Sequence, residues 1–188
     1  MEKGERIALR RDVRVVEIPQ GTEATLPEGA SVTVVQTLGG NVTVSGGPPH
    51  SAPGQLYRVE AEDLDALGVE PKPGRTRAGR ALPLAPVDED RVWQELRTIF
   101  DPEIPVNLVE LGLIYRMDLA AGAEGKRIEV DMTLTAPGCG MADVLKRDVE
   151  KKLAAIPGVE DVQVEVVFDP PWTRDRMSEA AKLTLGMF

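Results

Sequence analysis

The chain holds a single cysteine, Cys139, in the run Thr133-Leu134-Thr135-Ala136-Pro137-Gly138-Cys139-Gly140-Met141. Alternating residues precede this run and helically spaced ones follow it. The cysteine is therefore expected on a strand–turn–helix connection, at or beside a helix N-terminus. The unpaired N–H groups and positive dipole end of such a terminus favour a thiolate. A thiolate attacks electrophiles or binds soft metals. The flanking glycines let backbone approach a ligand closely. A second reading is equally simple: a free cysteine is often a small buried hydrophobe. Another run with chemical content is Asp101-Pro102-Glu103-Ile104-Pro105-Val106-Asn107. Its two carboxylates and amide can accept protons, coordinate iron or hold the cysteine loop. They can also be a helix stop with two solvated acids. A third is Phe168-Asp169-Pro170-Pro171-Trp172, where Trp172 either covers a site, presents a docking surface or anchors the core.

What is missing narrows the chemistry. The one histidine, His50, lies in a Gly/Pro-rich stretch far along the sequence from Cys139. A cysteine hydrolase usually needs a histidine base beside its thiol. The Cys/His clusters of a protein zinc site do not occur. One cysteine cannot supply the four thiolates of an ordinary iron–sulfur cluster. Any cluster must be shared across a dimer, completed by other ligands, or held only in transit.

The elements that must position these residues begin after a Pro/Gly-rich stretch. Asp88, Glu89 and Asp90 suit a helix start, and Val92, Trp93, Leu96, Ile99 and Phe100 recur at helical spacing until Asp101-Pro102 stops them. Strands are expected over 111–119 and 127–135, connected through Gly122 and Gly125. A second helix is expected from about Gly140 to Ala155, with Met141, Leu145, Val149 and Leu153 as its apolar stripe. Val162, Val164, Val166 and Phe168 alternate as a third strand, and Ser178 to Leu185 reads as a last helix. The order α-β-β-α-β-α implies an α+β sandwich.

Residues 1–70 read as a β-rich module. Val13/Val15, Val32/Val34 and Val42/Val44 alternate with polar neighbours, and Gly40-Asn41 suggests a hairpin. Glu62 to Leu67 reads as a short helical turn stopped by Gly68. Between the modules, residues 71–87 read as a linker rich in Pro, Gly and Arg. It carries Lys72, Arg75, Arg77 and Arg80 and no acidic residue. Such a stretch can touch an acidic partner or RNA, but with no aromatic side chain among these cations it is read as a solvated linker.

Hydrophobic residues make up 42% of 188, enough for a real core. The net charge of −9 argues against nucleic acid as the main partner. No apolar run is long enough to span a membrane. The first eleven residues lack the apolar stretch of a secretory signal. A lone cysteine fits a reducing compartment, so the cytoplasm is expected.

Three stretches together carry a resemblance. Asp101-Pro102-Glu103-Ile104-Pro105, Leu111-Gly112-Leu113-Ile114-Tyr115 and Met132-Thr133-Leu134-Thr135-Ala136-Pro137-Gly138-Cys139 resemble the metal–sulfur cluster assembly factors. The continuation Val167 to Trp172, then Met177 to Ala181 and Leu185 to Phe188, is similar to the auxiliary branch linked to bacterial SUF operons, as is the leader around Gln36 to Gly40.

The resemblance implies an α+β fold and a role in assembling iron–sulfur clusters or delivering them to client apoproteins. It implies Cys139, Asp101, Glu103 and Thr135 as the functional cluster, with Cys139 as the metal ligand and the iron–sulfur cluster held only transiently. Some branches have a second threonine where this chain has Ala136. The implied partners are SUF-type assembly proteins and client apoproteins, with a homodimer as one way to share a cluster. A non-enzymatic factor is expected. The alternatives are a metal-free adaptor, or a thiol enzyme using Cys139 with Asp101 or Glu103 as base.

Overall fold

The computed structural model describes residues 1–46, 54–69, 87–136 and 138–187. The chain divides into two compact units, Met1–Arg80 and Ala81–Phe188. Of the expected linker only Val87 is described, and it is buried in the core of the second unit. Its apolar side chain belongs to that fold and not to a solvated connection. Lys72, Arg75, Arg77, Arg80 and His50 lie outside the described residues.

The first unit has strands β1 (Arg6–Ala8), β2 (Val13–Ile18), β3 (Glu23–Leu26), β4 (Ser31–Leu38), β5 (Asn41–Gly46) and β6 (Leu56–Val59). They pair antiparallel in the order β1-β4-β5-β6-β2-β3. One register runs from Arg6↔Thr33 to Val16↔Glu23, across the corner at residues 9–12. Leu9 keeps it there by donating to the Ala30 carbonyl (2.9 Å) and accepting from the Gly29 N–H (2.8 Å). So β1–β2 is one bent strand lying against β3–β4, and the pairing β2–β6–β5–β4 returns to it. The result is a small closed barrel. Val13, Val15, Val32, Val34, Val42, Val44, Tyr57 and Val59 are buried in one core cluster. Each such side chain contributes about 1.5–3 kcal/mol on burial.

The hairpin turn is Gly39-Gly40, with φ of 66° and 93°. Two successive positive φ values match the twist of the strands, and glycine takes them without strain. Asn41, expected in the turn, instead pairs with Leu38 as the first residue of β5. A 3₁₀ helix, Ala61–Leu67, follows β6 and ends at Gly68 with φ of 78°.

The second unit runs α1 (Glu89–Leu96), β7 (Ile114–Ala121), β8 (Lys126–Met132), α2 (Ala142–Ala154), β9 (Val159–Val166), a 3₁₀ turn (Arg174–Arg176) and α3 (Glu179–Thr184). The fold is α+β, as expected. Asp88 caps α1, its carboxylate accepting from the Arg91 N–H at 2.9 Å. The helix ends at Leu96, earlier than the apolar spacing suggests. The Thr98 and Ile99 N–H groups turn back to the carbonyls of Glu95 and Leu96, and Ile99 stays buried beyond the helix.

β7 and β8 are antiparallel, whereas β8 and β9 are parallel and joined through α2. Ile128, Val130 and Met132 of β8 and Val164 of β9 share a core with Leu145, Val149 and Leu153 of α2 and Val92 and Leu96 of α1. Phe168 lies past the end of β9 and is 47% exposed, so the expected strand alternation stops before it. Both parallel strands point their C-terminal ends the same way. In α/β units, that is the side where ligand-binding loops collect.

Candidate functional site

The acidic loop follows α1. Asp101 is 9% exposed. Its Oδ1 accepts the N–H groups of Glu103 and Ile104, each at 2.8 Å, and its own N–H donates to the Val106 carbonyl at 3.1 Å. Asp101 therefore holds its own loop closed, more than a solvated helix stop does. Burial pushes its pKa up, and the two N–H donors pull the other way. Glu103 is exposed, and partial burial together with the Asp101 charge raises its pKa as well. Asn107 is the capping residue of the next turn, accepting from the Glu110 N–H at 2.9 Å.

The cysteine connection leaves β8 at Met132. Thr133, 1% exposed, donates its N–H to the Leu113 carbonyl at 2.8 Å. Leu113 N–H donates to Leu108 O (3.0 Å), and Leu108 N–H to Ile99 O (2.9 Å). This backbone chain ties the acidic loop to the cysteine connection, although some thirty residues separate them in sequence. Thr135 is half-buried, and Gly138 has φ of 80°. Pro137 lies outside the described residues.

Cys139 is a free, half-buried thiol packed against the second core, as is Ile104 of the acidic loop. Its carbonyl accepts from the Ala142 N–H at 3.2 Å. α2 starts at Ala142 with Met141 as cap, so Cys139 stands two residues before the cap and outside the helix. The expected start near Gly140 is two residues too early. Met141, the cap residue, is buried, so its apolar character extends the helical spacing back beyond the helix.

Among the described residues no three His, Cys, Asp or Glu side chains come together as metal ligands. Cys139, Asp101 and Glu103 thus form no ready-made cage.

The third run is structural where its contacts are seen. Trp172 packs on the core and donates its indole N–H to the Leu111 carbonyl at 2.9 Å. Tyr115 donates its hydroxyl to the Pro170 carbonyl at 2.9 Å, and the Arg176 guanidinium lies 4.0 Å above the Tyr115 ring. Sequence reasoning does not single out Thr133 or Gly112. A Cβ on Gly112 would collide with the Arg176 carbonyl oxygen. The only signal for it in the sequence is a glycine between two leucines.

The family described as iron-sulfur cluster assembly protein matches residues 89–166, within the second unit. A Porphyromonas gingivalis protein named Fe-S protein maturation auxiliary factor is 48% identical over 98 residues, covering 52% of this chain and 90% of the relative. This chain belongs to the iron–sulfur cluster assembly protein family. The Bacillus subtilis Fe-S protein maturation auxiliary factor YitW is 40% identical over 99 residues, covering 53% of this chain and 94% of that one. The Staphylococcus aureus factor SufT is 43% identical over 89 residues, covering 47% and 98%. All three relatives are matched nearly whole by about half of this chain. The family match takes in both the acidic loop and the cysteine connection, and the barrel lies outside it.

Proposed function

We propose that this chain is an auxiliary factor that helps assemble iron–sulfur clusters or deliver them to client apoproteins, acting through Cys139. The observation that carries this is the placement of the sole thiol. It sits in the connection at the C-terminal ends of two parallel strands, within the family match, and is tied by backbone hydrogen bonds to the acidic loop.

The cluster is cargo. One thiolate suits iron–sulfur chemistry but cannot hold a cluster by itself. A single thiolate therefore suits transfer, with the client or a second copy completing the ligands. Asp101 keeps the acidic loop in shape, Glu103 offers an exposed carboxylate on that loop, and Thr135 a half-buried hydroxyl on the cysteine connection. Such a factor forms and breaks contacts and catalyses no reaction of its own. Its partners are SUF-type assembly proteins and client apoproteins, and its compartment is the reducing cytoplasm. No helix among the described residues is long and apolar enough to cross a membrane.

The test compares aconitase-type activity in lysates of wild type, a deletion strain and Cys139→Ala under iron limitation. Equal loss in both mutants, with the client protein still abundant, is expected. Loss in the deletion alone removes Cys139 from the mechanism. The lack of a preformed ligand set favours one second reading, a metal-free adaptor. Stable complexes with assembly proteins, and no bound iron after anaerobic reconstitution with iron and sulfide, would select it.

A further inference from the structure

The chain after β9 runs along the end of the sheet where β8 and β9 stop and β7 begins. Its first link is to β8: the Val167 N–H donates to the Met132 carbonyl at 2.8 Å. Next, the Pro170 carbonyl accepts the Tyr115 hydroxyl. Trp172 then donates its indole N–H to the Leu111 carbonyl at 2.9 Å, and the Ser178 N–H donates to the Glu110 carbonyl at 2.9 Å. Buried Met177 and Ala181 anchor the far end in the second core. On the way, the Arg176 carbonyl comes so close to Gly112 that no Cβ would fit there. The family match stops at residue 166, before this strap begins.

Together with the bond between Thr133 and Leu113, these links close a ring. It runs from Leu111 through Gly112 to Leu113, across to Thr133 and back to Met132. From there it crosses to Val167 and follows the strap to Trp172, which returns to Leu111. Two of its three hydrogen bonds join backbone groups, and the third comes from a side chain, Trp172. The acidic loop hangs on this ring, because Leu113 donates to Leu108 and Leu108 to Ile99. Closing a ring removes freedom that an open chain of the same bonds keeps. Phenylalanine at 172 would keep an aromatic ring on the core but leave the Leu111 carbonyl without this donor.

We infer that Trp172 is a positioning residue: its indole N–H closes the ring and so holds the acidic loop at a fixed place relative to the end of β8. It acts through Leu111 and touches no reacting group. As a role in maturation this rests on the proposed function; as a statement about the acidic loop it does not.

The test uses full-length protein and amide hydrogen exchange at Leu108, Leu113 and Thr133, with Ile128 and Val130 in the middle of β8 as reference. Trp172→Phe is expected to speed exchange at the three ring and loop amides at least about fivefold and to leave the β8 amides within about twofold of wild type. Uniform acceleration overturns the inference, since it makes Trp172 a core anchor only. No acceleration also overturns it. Tyr115→Phe frees Pro170 from outside the ring and should leave the same amides within about twofold; an equal acceleration there overturns the special role of Trp172. Wild type supplies a check that needs no variant. If the ring opens as a unit, the Trp172 indole N–H and the Leu113 and Thr133 amides should show protection within about threefold of one another, and an indole N–H exchanging freely overturns the inference. Client activation should fall at least about threefold in Trp172→Phe with the protein still abundant. Selective exchange with clients indifferent to Cys139→Ala sinks the maturation role and leaves the brace in place. Unselective exchange with clients dependent on Cys139 does the reverse.

Discussion

The two units spend their polar residues differently. In the barrel the interior is almost wholly aliphatic, and the strand pairing closes on itself. Its charges sit at corners, as where Arg11 pairs with Asp63 and Asp65, or are matched locally, as where buried Arg58 pairs with Glu60. Closure removes most free edges and leaves little backbone to be held by side chains. The second unit has an open sheet of three strands, and its connections must be shaped by buried polar groups. Asp101 closes one loop from within, and Thr133 is sunk beneath another. A barrel of this kind gives stability with few places to do chemistry. A small open sheet puts its variable groups at strand ends, where a partner can reach them.

This contrast can be broken most sharply at Cys139. Cys139→Ala should abolish client activation while leaving the melting temperature within a few degrees, since one half-buried sulfur is lost. A large fall in stability instead would make the thiol a core residue. Next in size is Gly112→Ala. Its φ of 69° and the close approach of the Arg176 carbonyl should cost at least about 3 kcal/mol, read by urea denaturation.

Asp101→Ala should cost about 2 kcal/mol, because two loop N–H groups lose their acceptor. The pH dependence sharpens this. Burial raises the Asp101 pKa, so the native state takes up a proton before the unfolded chain does. Stability from this carboxyl therefore grows as pH falls from above its raised pKa toward its ordinary value of 3.8. The stability of wild type relative to Asp101→Asn should rise as pH falls toward the ordinary value of 3.8. A flat difference would mean that the carboxylate is not desolvated.

In the barrel, Val44→Ala should cost about 2 kcal/mol of barrel stability and leave client activation at the wild-type level. Lost activation in a barrel that still folds would end the division of labour. The smallest effect belongs to Arg11→Ala. Its ion pairs are partly exposed, so the change in melting temperature should be near the limit of detection and should vanish in high salt.

The sequence alone determined the secondary-structure order of the second unit, because each element has enough turns or pleats for its apolar period to register. Ile128, Val130 and Met132 mark β8 by their alternation, and Leu145, Val149 and Leu153 mark α2 by their spacing of four. It also determined that the thiol would sit between a strand and a helix, and the family followed from residues in those same loops. Helix ends were less legible. Ile99 keeps helical spacing after α1 has ended, and Met141 is buried before α2 has begun. Burial and helical spacing are the same signal in a sequence, and only hydrogen bonding separates them.

Three things were decided by tertiary structure alone. The barrel closes because β1–β2 and β3–β4 keep one register around a corner, which no local pattern records. The acidic and cysteine loops are joined by backbone groups of Leu108, Leu113 and Thr133, and backbone donors look alike in every sequence. The isolation of the Thr133 hydroxyl is a property of its neighbours: a threonine in an alternating run reads as satisfied until the packing around it shows that no described residue reaches its oxygen.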